Sequence, residues 1–252
     1  MRASMIGLSA LALVASATPA LAQDDTKEFT LTGSAAIVSD YRFRGLSQSN
    51  KRFAVQASAT LTHSSGAYIS FWSSSIDDYV AANADAELDL IAGYSTTIGG
   101  VTLDGGLLYY VYPSAIKGVN TDFFEPYASI KYAVGPATLK AGIAYAPKQK
   151  AIASPVTGHT KDDNVYLYGE ASGAIPDTGF ALTSHVGYSR GPSFLTGPRK
   201  SYWDWNVGAT YTWRNATFGV SYVDTNAKSA DFNTGFKNIA KAGVVGSVTY
   251  AF

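Results

Sequence analysis

An alternation of apolar and polar residues with a period of two recurs along most of this chain of 252 residues. Because successive side chains of a β-strand point to opposite faces, a period of two predicts strands with two unlike faces. The segments 29–37 and 203–213, which read FTLTGSAAI and WDWNVGATYTW, show the pattern clearly. Twelve such segments follow one another to the last residue. The sequence therefore predicts an all-β fold of about twelve strands.

The charged residues of these segments fall on one face only. The apolar parity carries no Asp, Glu, Lys or Arg, whereas the opposite parity collects Arg42, Asp85, Glu87, Asp89, Asp104, Glu125, Lys131, Lys140, Glu170, His185 and Asp204. A soluble sandwich or barrel would scatter its charges over the outside. Aromatic residues such as Tyr94, Tyr132 and Trp213 stand near strand ends on the apolar parity, as in the interfacial girdles of membrane barrels. We expect the apolar face to contact lipid and the charged face to line a lumen.

The connections between the segments alternate strictly between short and long. Tight, turn-rich connections lie around residues 63–66, 97–100, 135–136, 174–178 and 214–215, and longer polar ones around 45–51, 75–84, 113–121, 147–162, 191–201 and 224–240. Strands can cross lipid only as a closed barrel, since lipid offers no partner to a bare N–H or C=O group. The pattern predicts a transmembrane antiparallel up-and-down barrel with short periplasmic turns and long extracellular loops.

The two ends of the chain indicate export and assembly. Residues 1–22 combine a basic start, an apolar run and a final Ala-Leu-Ala, which is typical of a cleavable signal peptide. Residues 23–252 would then form the barrel of an outer-membrane protein of a Gram-negative cell. The ending GSVTYAF places Phe252, Tyr250 and Val248 on one parity and resembles the terminal strand that the barrel-assembly machinery reads. We therefore expect that machinery, outer-membrane lipid and lipopolysaccharide as partners.

Composition and spacing argue against several functional classes. The 19 basic and 19 acidic residues balance, whereas nucleic-acid binders are usually far more basic. With no cysteine, the chain has neither a disulfide nor a thiolate metal site. Asp85, Glu87 and Asp89 lie in a row on one predicted strand and do not converge, so we predict no metal site and no cofactor. His185 faces inward while its neighbour Ser184 faces away, so no catalytic residues and no enzyme are predicted.

The stretch SDYRFRGLSQSN at residues 39–50 mixes arginine and aromatic residues in strict alternation. If the first strand continues through it, Tyr41 and Phe43 lie on the apolar side and Arg42 and Arg44 face the lumen. The two arginines then either form an electrostatic constriction, or pair with Asp40 or with acids such as Glu87 and Asp89. With Asp40, Arg52 and the charges named above, the lumen holds a small excess of acids, which predicts a weak preference for cations.

This same stretch, with DYRFRGLSQS intact, resembles the signature of the TorF porin family of proteobacterial outer-membrane barrels. SFWSSS at residues 70–75, ELDLIAGYS at 87–95 and the final aromatic strand are similar too, so the resemblance covers essentially the whole mature chain. It implies an outer-membrane location and a channel role, and it brings no catalytic residues.

The sequence thus predicts a porin-like transport channel for passive diffusion of small hydrophilic solutes through a narrow, charged, tyrosine-rich lumen. Barrels of this size lie between small ones filled by side chains and large ones that hold a water channel. The alternative is therefore a non-conducting barrel that acts through its extracellular loops. A soluble periplasmic barrel is a third possibility, and the charge-free face argues against it.

Overall fold

The computed structural model describes residues 27–154, 157–232 and 238–252. The predicted signal peptide lies outside the described residues. Fourteen strands alternate with loops in the order Phe29–Val38 (β1), Arg42–Phe43 (β2), Leu46–Ser47 (β3), Ala54–His63 (β4), Ala67–Ser75 (β5), Ala86–Ile98 (β6), Val101–Val111 (β7), Phe123–Val134 (β8), Ala137–Gln149 (β9), Asp162–Ala174 (β10), Phe180–Arg190 (β11), Ser201–Trp213 (β12), Ala216–Thr225 (β13) and Gly243–Ala251 (β14). Short 3₁₀ turns cover Phe194–Arg199 and Ser229–Phe232.

Twelve of these strands form one closed antiparallel barrel, and β2 and β3 form a separate two-stranded hairpin. Each barrel strand pairs with the barrel strands that precede and follow it in the chain. The hairpin lies between β1 and β4 in the chain, and these two strands pair with each other. The barrel closes where β1 pairs with β14, with Ser34 opposite Ala251 and Val38 opposite Ser247. The twelve-stranded up-and-down barrel predicted from the sequence is confirmed.

The connections sort to the two ends of the barrel. At one end, here called the turn end, the strands are joined by short links such as residues 64–66, 99–100 and 214–215. At the other, the loop end, the links are longer, for example residues 39–53, 112–122 and 226–242. The alternation of short and long connections is therefore as the sequence predicts.

The outward face of the barrel is apolar and exposed, as a lipid-facing surface would be. Val207 at the centre of β12 is 58% exposed, and its neighbours on other strands, such as Val220 and Val186, are exposed as well. The four longest strands have 13 residues, whereas about 9–11 suffice for a tilted strand to cross the hydrocarbon layer. None of the helical segments in the described part of the chain is long and apolar enough to cross a membrane.

The prediction that the outward parity carries no charge holds for the middle of the strands and is wrong at the loop end. There β10, β11 and β13 extend further than the apolar pattern indicates and bring Asp163, Arg190 and Asp224 onto the outward parity. The hydroxyl of Tyr145 donates to Asp163 at 3.1 Å, and that of Tyr222 donates to Asp224 at 3.2 Å. These charges stand at the loop-end termini of their strands, next to the long polar loops.

Candidate functional site: the inward hairpin and the barrel interior

The first long connection folds back into the barrel instead of extending from it. Strand β1 ends at Val38, and residues 40–47 are all buried. The prediction that Tyr41 and Phe43 face outward is therefore wrong, since they are 1% and 9% exposed inside the barrel. The alternation of arginine and aromatic residues fits a hairpin that is surrounded by protein on both faces.

The hairpin is closed by a two-residue turn at Arg44 and Gly45. Both residues have positive φ, at 48° and 79°, which is the signature of the turn that matches the twist of antiparallel strands. A positive φ costs a residue other than glycine about 1 kcal/mol, so the contacts of the Arg44 side chain must offset this cost. The sequence signal for the turn was the Arg-Gly pair at the centre of the alternating stretch.

The base of the hairpin is anchored by Arg42 and Asp40. The Nε of Arg42 donates to Asp40 Oδ2 at 2.6 Å, and its Nη1 donates to the carbonyl oxygens of Gly45, Ile239 and Lys241 at 3.0–3.3 Å. Ser47 Oγ donates to the other oxygen of Asp40 at 2.6 Å. The predicted pairing of Arg42 with Asp40 is confirmed, and Arg42 joins the hairpin to the last long loop.

The tip of the hairpin is held by Arg44 against β8 and β10. Its Nη2 donates to both carboxylate oxygens of Glu125 at 2.8 Å, and its Nη1 donates to Asn164 Oδ1 at 3.0 Å. The guanidinium carbon lies 4.3 Å from the centre of the Tyr166 ring and 4.7 Å from that of Phe43. Burial opposes the charged form, but the Glu125 carboxylate prevails and raises the pKa of Arg44 above its ordinary value. Arg44 thus pairs with an acidic residue, which was one of the two predicted alternatives, and the acid is Glu125 and not Asp40, Glu87 or Asp89.

The hairpin also contacts the opposite parts of the barrel wall. The hydroxyl of Tyr41 donates to Glu87 on β6 at 2.7 Å, and its ring packs 5.3 Å from Trp72 on β5. The Phe43 ring lies edge-on to Tyr110 on β7. On the far side, a Cβ at Gly45 would lie 2.8 Å from the Cβ of Asp204 on β12 and 3.1 Å from that of Thr225 on β13. The hairpin therefore crosses the interior from β5 to β13.

Glu87 and Asp89 lie side by side on the inward face of β6, and both are nearly inaccessible to solvent. Glu87 accepts from the hydroxyls of Tyr41 and Tyr112 at 2.7 and 3.0 Å. Asp89 Oδ1 has no hydrogen-bond partner among the described residues. Asp85, which the sequence placed on the same face, precedes β6 and is exposed in a loop, where Ser114 donates to it. It does not belong to the lumen, because the strand begins one residue later.

A second polar network lies beneath the hairpin, nearer the turn end. His185 joins the carboxylates of Glu170 and Asp204, with N–O distances of 3.4 and 3.3 Å, and Glu170 also lies 3.7 Å from Lys140 Nζ. The Tyr166 hydroxyl donates to Asp204 at 3.1 Å and lies 2.8 Å from His185 Nε2. Tyr166 therefore links this network to the Arg44 site, because its hydroxyl contacts His185 and Asp204 and its ring lies against the Arg44 guanidinium.

The position of Tyr166 depends on a glycine of the neighbouring strand. A Cβ at Gly187 of β11 would lie 2.0 Å from the Tyr166 hydroxyl oxygen, so a larger residue there would displace the ring. The remaining predicted lumen residues also face inward. Lys131 lies opposite Lys140 in the β8–β9 pair, and Asp104 accepts from the Tyr68 hydroxyl at 3.1 Å.

Arg52, which the sequence counted among the lumen bases, is instead an outer residue. Its side chain is 70% exposed and pairs with Asp77 at 2.5 Å on the loops. In the loops at the same end, Arg199 lies 3.5 Å from Asp231. Ser184 faces outward beside the inward His185, as predicted. Among the described residues, no group of three or more His, Asp or Glu is arranged to hold a metal ion.

Sequence reasoning found the charged groups of the interior but missed the polar residues that support them. Asn164, Tyr110 and Ser189 all belong to the Arg44 site, since Tyr110 donates to Glu125 at 3.0 Å and Ser189 donates to Asn164 at 3.2 Å. Their inward parity could be read from the pattern of β7, β10 and β11. Their shared contact could not, because these strands are distant in sequence.

Comparison with known proteins identifies a family and a fold. A family model described as a bacterial protein of unknown function, Gcw_chp, matches residues 22–252. The structure of the NanC porin is similar, with a TM-score of 0.60 and 11% identity over 88% of this chain and 99% of that one. A structure from work on the in-meso crystallization of membrane proteins has a TM-score of 0.52 and 10% identity over 88% of this chain and 83% of that one. No curated protein matches the sequence. At these identities the structural likeness shows the fold alone.

Proposed function

Because the chain belongs to the Gcw_chp family and folds as a closed porin-type barrel, we propose that it is an outer-membrane channel for small hydrophilic solutes whose passage the β2–β3 hairpin controls. Solutes would cross by passive diffusion through the charged, tyrosine-rich interior. The outer-membrane location, and with it contact with lipopolysaccharide at the loop end, belongs to the same proposal. So does membership of the TorF family, on the strength of the DYRFRGLSQS stretch.

The observation that carries the proposal is the partial solvent exposure of charged groups inside the barrel. Below the hairpin, the inward side chains of Lys140 and Glu170 remain 13% and 30% exposed, and Asp104 and Lys131 are only partly buried. Complete burial of a charged group is costly, so the partial exposure of these residues favours a water-filled lumen at the turn end. The apolar outward face supports the view that the water is inside the barrel and lipid is outside.

The hairpin also favours the second candidate, a non-conducting barrel. Its contacts reach from Trp72 on β5 to Thr225 on β13, and its own Tyr41 is almost fully buried, as are Tyr110 and Tyr202 of the barrel strands. At the level of the hairpin the interior is packed with side chains, as in small filled barrels. The two candidates differ in whether the hairpin ever leaves this position.

Planar-bilayer recordings on two proteins separate the candidates. One is the intact barrel, and the other is a hairpin-replaced barrel in which a short Gly-Ser linker takes the place of residues 41–48. We expect small or infrequent openings from the intact barrel. We expect a severalfold larger conductance from the hairpin-replaced one, because the hairpin no longer fills the interior. Heat-modifiable electrophoretic mobility checks that each protein is folded. Folded hairpin-replaced barrels that never open would leave only the non-conducting function.

The barrel-assembly machinery as a partner stays a prediction. The backbone of Phe252 exchanges two hydrogen bonds of 2.9 Å with Gly33, next to the seam where β1 meets β14. A Cβ at Gly33 would lie 2.7 Å from the Phe252 ring, so the absence of a side chain there makes room for the terminal aromatic group.

A further inference from the structure

The groups that hold Arg44 belong to the barrel wall and are oriented by hydrogen bonds that do not involve the hairpin. Tyr110 donates to Glu125 at 3.0 Å. Asn164 accepts from Ser189 and donates to Ser193, both at 3.2 Å. Tyr166 is held by Asp204 and His185 through its hydroxyl. If Arg44 moved away, these groups would keep their places, because strands β7, β8, β10, β11 and β12 fix them.

What the wall offers is complementary to a planar cation with several N–H donors. Both Glu125 oxygens and the Asn164 amide oxygen accept from two different nitrogens of one guanidinium group, and the Tyr166 ring lies against its carbon. A guanidinium group presents its donors in a fixed plane and stacks on aromatic rings, whereas an ammonium group is a compact, strongly hydrated charge. The chemistry of the wall therefore selects guanidinium over ammonium.

From the hairpin, the described contacts of this site come only from Arg44 itself and the Phe43 ring. The base of the hairpin is anchored separately, through Arg42, which binds Asp40 and the carbonyl oxygens of Ile239 and Lys241 in the last long loop. The tip also carries the strain of an arginine in the left-handed region. The tip can thus leave the wall while the base stays attached.

We propose that Glu125, Asn164 and Tyr166 form a binding site for guanidinium groups, that Arg44 occupies it as an internal ligand, and that solutes carrying a guanidinium group displace the hairpin tip. The displacement step rests on the proposed channel function, and the binding step does not. A solute with a guanidinium group would then open the channel for its own passage, because it replaces Arg44 in the contact that holds the hairpin tip.

The binding step is tested with the purified full-length Arg44→Ala barrel in detergent micelles, which lacks the internal ligand. We expect ethylguanidinium to bind it saturably by calorimetry, and ethylammonium to bind about tenfold more weakly or not at all, as loss of a charge-assisted hydrogen-bonding fork predicts. Adding Glu125→Gln to this variant should weaken ethylguanidinium binding about tenfold as well. Equal binding of the two cations, or binding that survives Glu125→Gln, would overturn the proposed site.

A second measurement covers the case in which Arg44→Ala does not fold. The natural chain has no cysteine, so a Leu46→Cys variant carries a single thiol on the buried hairpin. Ethylguanidinium should raise the rate of thiol labelling severalfold, and ethylammonium at the same concentration should not. A labelling rate that responds to neither cation, or to both alike, contradicts displacement by a guanidinium group.

Conductance then distinguishes failure of this inference from failure of the channel function. In the intact barrel, ethylguanidinium should raise the open probability over an equal concentration of ethylammonium. If the hairpin-replaced barrel conducts and the intact barrel shows no such difference, the displacement inference is wrong and the channel stands. If the hairpin-replaced barrel does not conduct, the channel function is wrong, and calorimetry and labelling alone decide the binding site.

Discussion

At Gly45 the hairpin backbone lies close to the barrel wall. The neighbouring side chains are Asp204 and Thr225, which would meet a Cβ at 2.8 and 3.1 Å. Its φ of 79° independently favours glycine. The close wall and the positive φ therefore both favour glycine at position 45. Comparison with a glycine that has a positive φ but no close neighbour separates the two effects.

We predict that Gly45→Ala lowers the free energy of unfolding by about 1–3 kcal/mol and loosens the hairpin, because the new methyl group adds overlap with the wall to the strain of a positive φ. Gly118→Ala is the matched control. Its φ is 88°, but nothing lies within 4 Å of a Cβ there, so only the backbone strain remains. Urea unfolding in micelles, followed by tryptophan fluorescence, measures both. Equal losses in the two variants would mean that the wall contact is not tight.

At the scale of the element, each barrel strand has two faces in different solvents. On β12, Val207 faces outward at the centre of the strand, and its neighbour Asn206 faces the lumen beside His185, its partner in the β11–β12 register. The Asn206 side-chain oxygen is buried without a hydrogen-bond partner among the described residues. A lysine at position 206 and a lysine at position 207 would carry the same charge at adjacent places in the sequence, but on opposite faces of the strand.

We predict that Val207→Lys destabilises the barrel by about 2–4 kcal/mol, the cost of lysine at the midplane of the lipid face. Asn206→Lys should cost clearly less, because its ammonium group reaches a polar interior that contains Asp204 and Glu170. The free energy of unfolding in lipid vesicles, from urea titration, gives both values. If Asn206→Lys were the more damaging of the two, the assignment of the faces would be reversed.

The hairpin itself shows how one element can be misjudged from its sequence. An alternating stretch predicts a strand that continues β1. A hairpin enclosed by the barrel produces the same alternation in residues 39–50. The structure differs because Arg44 and Gly45 turn the chain back, and because acceptors on β8 and β10 are available for Arg44. Local periodicity cannot distinguish a strand between lipid and lumen from a hairpin enclosed by the barrel.

At the scale of the whole molecule, the balance of charge in the interior governs which ions would pass. Of the predicted lumen residues, the structure places seven acidic and four basic ones inside the barrel, namely Asp40, Glu87, Asp89, Asp104, Glu125, Glu170 and Asp204 against Arg42, Arg44, Lys131 and Lys140. Removing Asp85 and Arg52 from the sequence-based set deletes one charge of each sign, so the predicted excess of acids is unchanged. An excess of negative charge raises the local concentration of cations.

We predict a weak cation preference, measured as the reversal potential across a KCl gradient in a planar bilayer. Glu170→Gln should reduce this preference, because the Glu170 side chain is a lumen carboxylate that remains 30% exposed. Asp85→Asn, which makes the same change of charge on an exposed loop, should have a smaller effect that added salt screens. The hairpin-replaced barrel, which lacks Arg42 and Arg44, should prefer cations more strongly. Anion selectivity of the intact barrel would contradict the prediction.

The sequence by itself determined the barrel: the number of strands, the apolar outward face and the alternation of short and long connections. These properties follow from the period of two and from local turn chemistry, which neighbouring residues fix among themselves. The inward parity of residues such as Glu87, Asp89 and Glu125 follows for the same reason. Phe29 and Ile37 of β1 are likewise exposed on the predicted face.

Only the tertiary structure decided what fills the interior. Arg44 meets residues 81 and 120 positions away, Glu125 and Asn164, and Gly45 rests against β12 and β13. These residues come into contact only when the barrel closes, because closure brings strands from the whole chain around one hairpin. The sequence supplies the charges, but the distance between two charges, which sets whether they pair, exists only once the barrel has closed.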